Sequence, residues 1–215
     1  MQQFGPPLDP VEIRVLGALM EKEATTPEYY PLSLNALVNA CNQKSNRDPV
    51  VDYDDDTVSD ALARLREKHF ALTITGGSRV NKYQQRISET LNLGRRESAV
   101  LCTLLLRSAQ TLGEIKDRSE RMFAFADLAE TEKVLEKLAE WPGGGLVKKL
   151  VRQPGQKEAR FAHLLSGEPS VDSAVESVAA APGGRVAQLE HDLGLLRSEF
   201  DDLKRRFEAL EAQLN

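Results

Sequence analysis

The strongest constraint on the fold of this chain is a set of helical patterns that it writes twice. Glu12-x-x-Val15-Leu16-x-x-Leu19-Met20 returns as Glu97-x-x-Val100-Leu101-x-x-Leu104-Leu105. Ser33-Leu34-x-x-Leu37 returns as Thr111-Leu112-x-x-Ile115, and Ala61-Leu62-x-x-Leu65 returns as Val134-Leu135-x-x-Leu138. Apolar residues spaced three and four apart mark one face of a helix. Each set of three then closes in two short strand-like runs around a glycine-containing turn, Gly76-Gly77-Ser78 in the first copy and Pro154-Gly155 in the second. Three helices followed by a two-stranded wing, written twice, predict a tandem winged-helix protein, α+β in class and mainly α.

Local signals place the elements. Asp9-Pro10-Val11-Glu12 combines an N-cap, a proline at the first helical position and a capping-box glutamate, so the first helix starts there and ends near Glu23. Ser33 caps a second helix that runs to about Cys41, and a third spans about Asp54 to Lys68. Strands are expected at Ala71–Thr75 and Val80–Arg86. In the second copy, Thr111 and Glu114, then Asp127 and Glu130, have capping-box spacing. Helices are expected near Arg95–Arg107, Leu112–Ser119 and Leu128–Glu140, with strands near Leu146–Arg152 and Ala159–Leu164. The first domain thus covers residues 8–90 and the second 91–165.

The remainder has a different character. Residues 166–184 are rich in Ser, Ala, Pro and Gly, the composition of a flexible linker. Residues 185–215 then carry an unbroken heptad: Val186, Leu189, Leu193, Leu196, Phe200, Leu203, Phe207, Leu210 and Leu214 alternate three and four apart. That spacing predicts a coiled-coil helix; an amphipathic helix folded back on its own domains is the competing reading. With a at Val186, the g residues Arg185, Asp192, Glu199 and Arg206 face the e residues Glu190, Arg197, Lys204 and Glu211 of a parallel partner. All four pairs are opposite in sign, whereas an antiparallel pair sets Glu190 against Glu211. A parallel homodimer is the expectation, with a trimer left open by the bulky Phe200 and Phe207.

Composition narrows the function class. The formal net charge is −5. Residues 1–90 hold 10 Lys/Arg against 13 Asp/Glu, residues 91–165 hold 13 against 10, and residues 166–215 hold 5 against 10. Only the second domain is basic, and dedicated DNA-binding domains are usually far more so. No apolar run reaches the ~20 residues of a membrane span. With no export signal in Met1–Pro7 and two cysteines, Cys41 and Cys102, in helical patterns, a reduced cytoplasmic protein without a membrane contact is expected. His69, His163 and His191 are scattered over three elements, and no nucleophile motif or metal spacing occurs. Gly143-Gly144-Gly145 follows a helix and precedes a strand, the reverse of a phosphate loop. No enzyme activity, no cofactor and no metal are expected.

Three places carry recognition chemistry. Arg79, Lys82 and Arg86 lie on or beside the first wing, and Lys148, Lys149, Arg152, Lys157 and Arg160 on the second. They suit a backbone-dominated contact with nucleic acid, or equally a solvated hairpin guarding its edge. The loop Asn42-Gln43-Lys44-Ser45-Asn46-Arg47, before Asp48-Pro49, is a candidate recognition loop, or a turn that satisfies its own backbone. Against DNA stands Asp52-Tyr53-Asp54-Asp55-Asp56 at the start of the third helix, where a winged helix normally meets the major groove.

Leu8-Asp9-Pro10-Val11-Glu12, Thr26-Pro27-Glu28-Tyr29-Tyr30-Pro31, Asn42 to Pro49, and Pro154-Gly155-x-Lys157-Glu158-x-Arg160-Phe161-x-His163-Leu164-Leu165 resemble the YceH family of uncharacterised bacterial proteins. The resemblance spans about residues 8–165. It implies a tandem winged-helix fold in a bacterial cytoplasm and no particular activity. Two functions follow as expectations. One is a DNA-associated regulator holding phosphate through basic wings; the alternative is an acidic protein-interaction scaffold without direct nucleic-acid contact.

Overall fold

The computed structural model describes residues 6–75, 80–152 and 156–169. The chain starts with α1 (Pro10–Thr25), a single 3-10 turn (Pro27–Tyr29), β1 (Leu32–Ser33), α2 (Leu34–Cys41) and α3 (Asp55–Glu67). Strands β2 (Ala71–Ile74) and β3 (Lys82–Gln85) follow, then the helical turn α4 (Ile87–Thr90). The order repeats with α5 (Arg95–Leu106), β4 (Gln110–Thr111), α6 (Leu112–Ser119), α7 (Leu128–Ala139), β5 (Val147–Lys149) and β6 (Arg160–His163). The class is α+β and mainly helical among the described residues.

Each half builds the same antiparallel sheet, in the orders β1-β3-β2 and β4-β6-β5. The two-residue strand before the second helix joins the hairpin as a third strand. Ser33 opposes Lys82 in one half and Thr111 opposes Arg160 in the other. The same two residues cap α2 and α6: Ser33 accepts the Ala36 N–H at 3.3 Å, and Thr111 the Glu114 N–H at 3.3 Å. A cap and a strand pair at one residue fix how the second helix leaves the sheet.

α1 begins as its sequence requires. The Asp9 carboxylate accepts the Val11 and Glu12 amides, and Glu12 accepts the Asp9 N–H at 2.8 Å. The helix continues to Thr25, two residues beyond the end its apolar stripe marks. Every residue from Glu12 to Glu21 is buried, charged ones included. A helix buried on all sides is a core element, not a surface one. α1 packs on α2, α3 and β3 of its own half and on α5 of the other.

Its buried charges are all partnered. Glu12 meets the Lys68 ammonium at 2.6 Å, and Glu97, its counterpart on α5, meets Lys137 of α7 at 2.5 Å. Arg14 donates to the Pro49 carbonyl at 2.5 Å, and Glu21 accepts from Arg47 at 2.6 Å.

The halves meet at Gly17. A Cβ there would lie 2.9 Å from Leu106 Cδ2 and 3.2 Å from Leu105 Cβ, so the close approach of α1 and α5 depends on this glycine. The Cys102 thiol donates to the Gly17 carbonyl at 3.4 Å. Further bonds cross the same boundary: Leu8 N–H to Leu165 O at 2.8 Å and Asp48 N–H to Leu106 O at 3.1 Å.

The hairpin strands are shorter than their sequence runs, and β1, β4 and α4 have no counterpart in the pattern reading. Two residues of strand or one turn of helix carry no periodicity. The turns at Gly76-Gly77-Ser78 and Pro154-Gly155 lie outside the described residues, as do Arg79 and the whole heptad from Val186 to Leu214. At the end of α7, Gly145 has φ +75, and a Cβ there would stand 2.6 Å from the Ala139 carbonyl. With Leu146 N–H returning to Leu138 O at 2.8 Å, that close approach folds the chain after the helix back against its last turn.

Candidate nucleic-acid interface

The β5–β6 hairpin gathers four of the cations singled out in the sequence. Lys148, Lys149, Arg152 and Lys157 are all exposed. Adjacent strand residues point to opposite faces, so Lys148 and Lys149 diverge. Lys148 pairs with Glu168 at 2.5 Å. Lys149 lies 5.5 Å from the Phe161 ring centre and 3.9 Å from Glu132 of α7. Arg152 donates to the Lys157 carbonyl at 3.5 Å, bridging the two arms of the hairpin. The Lys148 and Lys149 pairs are solvent-exposed, and such contacts contribute about 0–1 kcal/mol. A phosphate can displace either carboxylate at little cost.

Arg160 has a different job. Its guanidinium donates to the Ala109 carbonyl at 2.7 Å and to Glu114 at 3.1 Å, and it is only partly exposed. Glu114 also completes the cap of α6 by accepting the Thr111 N–H at 2.9 Å. Arg160 therefore ties β6 to the start of α6. On the first hairpin, Lys82 is exposed without an ion pair among the described residues, and Arg86 is paired with Glu89 at 3.3 Å. The structure places Lys148, Lys149, Arg152 and Lys157 on one hairpin, ties Arg160 to α6, and keeps Lys82 and Arg86 in the other half.

The start of α3 is acidic and open. Asp52, Asp54, Asp55, Asp56 and Asp60 are exposed. Hydrogen bonds from the Thr57 hydroxyl and amide hold the Asp54 carboxyl below its ordinary value, so the cap stays ionised. This surface repels phosphate.

The loop after α2 works mostly inward. Asn42 clamps Tyr53 from both sides, Nδ2 to its carbonyl and Oδ1 from its amide, each at 2.8 Å. Arg47 is buried, bonded to Glu21, to the Ala40 carbonyl at 2.8 Å, to Gln43 at 3.1 Å and to the Asn46 carbonyl at 2.9 Å. Asn46, at φ 59, accepts from Arg107 of the other half at 2.6 Å. Asn42, Gln43, Asn46 and Arg47 thus hold the first half together and brace it on the second. Lys44 and Ser45 are exposed.

Both cysteines are free and buried. Burial pushes the Cys41 thiol up to about 12 and raises Cys102 as well, so neither is a ready nucleophile. Among the described residues no helix is long and apolar enough to cross a membrane.

Residues 8–156 match the family model described as "Protein of unknown function, DUF480". The chain is 54% identical over 205 residues to a UPF0502 protein of Solibacter usitatus, covering 94% of this chain and 98% of that one. It is 52% identical over 190 residues to a UPF0502 protein of Citrifermentans bemidjiense, covering 86% and 88%. A UPF0502 protein of Pelobacter propionicus is 51% identical over 217 residues, covering 94% and 98%.

Proposed function

The chain belongs to the DUF480 family, and for this member we propose a non-enzymatic tandem winged-helix protein of the bacterial cytoplasm that holds nucleic-acid backbone through its second wing. Support for the winged-helix reading comes from the repeated order of helix, short strand, two helices and hairpin, with the short strand added to the hairpin in both halves. The observation that carries the function is the clustering of exposed Lys148, Lys149, Arg152 and Lys157 on one hairpin of the basic half. Contacts of this kind read phosphate rather than base edges. The aspartates at the head of α3 argue against insertion of that helix into a groove. Two chains paired through the heptads at Val186–Leu214 present two such wings to one duplex.

A salt titration on several duplexes tests this. Affinity is expected to fall with salt and to differ little among sequences. Lys148→Glu with Lys149→Glu weakens binding to all duplexes alike, and each phosphate contact removed lowers the salt slope by about 0.9. No binding at low salt rules the proposal out. The second reading, an acidic protein-interaction scaffold, is favoured by the exposed Asp52–Asp60 surface and then takes its place.

A further inference from the structure

A cavity of about 430 Å³ opens between the two halves, beneath the last turns of α1 and the first turn of α5. Its volume falls in the range of small-molecule sites, roughly 300–1,000 Å³. Met20, Pro27, Leu93 and Met122 supply apolar walls, and the flexible thioethers adapt to a ligand's shape. Two charged side chains, Glu23 and Arg95, stand at its open rim and are exposed. Neither has an ion-pair partner among the described residues.

Glu23 is aimed by a chain of hydrogen bonds. Its Oε2 accepts from Gln85 Nε2 at 2.6 Å, and Gln85 Oε1 accepts the Ser88 N–H at 3.0 Å. The Gln85 backbone N–H donates to the Tyr30 hydroxyl at 2.6 Å, and Gln85 is itself buried. Its carboxamide is thus pinned at both ends and fixes the Glu23 carboxyl. The other oxygen, Oε1, has no partner among the described residues. Partial desolvation raises this carboxyl above its ordinary value, against the Gln85 hydrogen bond that lowers it. Ser88 and Ser98 add hydroxyls 3.1 Å apart across α4 and α5.

We infer that this cavity binds a small zwitterion with an apolar body, its amine on Glu23 and its carboxylate on Arg95. The lining excludes other classes. One guanidinium does not balance a di- or triphosphate, no aromatic ring is present for a base to stack on, and one carboxylate does not hold a metal. The site lies apart from the second wing and goes beyond the nucleic-acid reading.

Calorimetric titration of the full chain with leucyl-leucine, its N-acetyl form and its C-terminal amide tests the assignment. The free dipeptide is expected to bind one per chain, and removal of either ligand charge weakens it by up to about fivefold, as for an ion pair at an open site. In Glu23→Gln the acetyl form and the free dipeptide bind alike; in Arg95→Gln the amide and the free dipeptide bind alike. The assignment is overturned by no saturable heat at millimolar dipeptide, by equal affinity of all three forms, or by discrimination that survives both substitutions. The ligand series on the wild-type chain keeps the test decisive should a variant fold poorly.

Discussion

At the scale of single residues, the most consequential pair is Glu21 and Arg47. Both side chains are buried and their heavy atoms lie 2.6 Å apart. Removing one partner of a buried pair leaves an uncompensated charge, which costs about 3–5 kcal/mol. Arg47→Met is therefore expected to lower the urea midpoint sharply, and adding Glu21→Gln restores part of the loss. Equal stability of Arg47→Met and wild type would contradict the pairing. His163 offers a test of a different sort. Burial lowers its imidazole to about 4 from an ordinary 6.5, and its Nδ1 has no hydrogen-bond partner. Between those values the unfolded chain binds a proton that the folded chain refuses, so stability falls as pH drops from 6.5 towards 4. The loss is on the order of 2 kcal/mol, given about 1.4 kcal/mol per unit and a partly solvated ring. Urea unfolding of His163→Phe across that window is expected to show a flatter profile than wild type, and parallel profiles refute the assignment. Neither role was legible in the sequence. Arg47 looked like part of a polar loop because its partner stands 26 residues away on a helix whose apolar stripe hides Glu21. His163 was one of three scattered histidines until the fold half-buried it and enclosed its Nδ1.

At the scale of elements, caps and apolar spacing located the six long helices to within two or three residues at their ends. The capping box of α6, with Thr111 and Glu114 bonded reciprocally, stands where its spacing placed it. The periodicity did not show that α1 is enclosed on every side. Glu12, Arg14 and Glu21 made it look amphipathic, and their partners come from α3, from the loop after α2 and from the chain before α3. Gly17 was equally silent, since an internal helical glycine carries no signal of the helix it touches. Its role predicts the effect of substitution. Gly17→Val places branched carbons against Leu105 and Leu106 and is expected to cost about 2 kcal/mol, as overpacking in a dense core does. Thermal unfolding checks this, and a variant as stable as wild type would show that α1 and α5 can move apart freely. The cavity rimmed by Glu23 and Arg95 was also invisible in sequence, because its walls come from four separated segments.

At the scale of the whole molecule, the repeat was the most legible feature, because both copies keep helical spacing, caps and hairpin order. Which of the basic residues converge was not legible, since strand register decides it; Arg160 falls beside Glu114 and Lys149 over Phe161 for that reason. The tail makes its own prediction. The heptad at Val186–Leu214 and its four opposite-charge pairs are expected to hold full-length chains as a parallel dimer, and a chain ending at residue 169 to sediment as a monomer. The same mass per chain for both proteins refutes this. α1 and α5 occupy the same place in their respective copies, and Gly17 and Cys102 are equivalent residues, separated by the 85 positions that separate Glu12 from Glu97. Equivalent residues that touch across two copies are what a two-fold homodimer shows at its axis. Here both copies belong to one polypeptide, so their pairing is unimolecular. Tethering of this kind sets an effective local concentration that can reach millimolar however dilute the protein is. The contact between α1 and α5 is therefore insensitive to expression level, whereas the same contact between separate chains would dissolve on dilution.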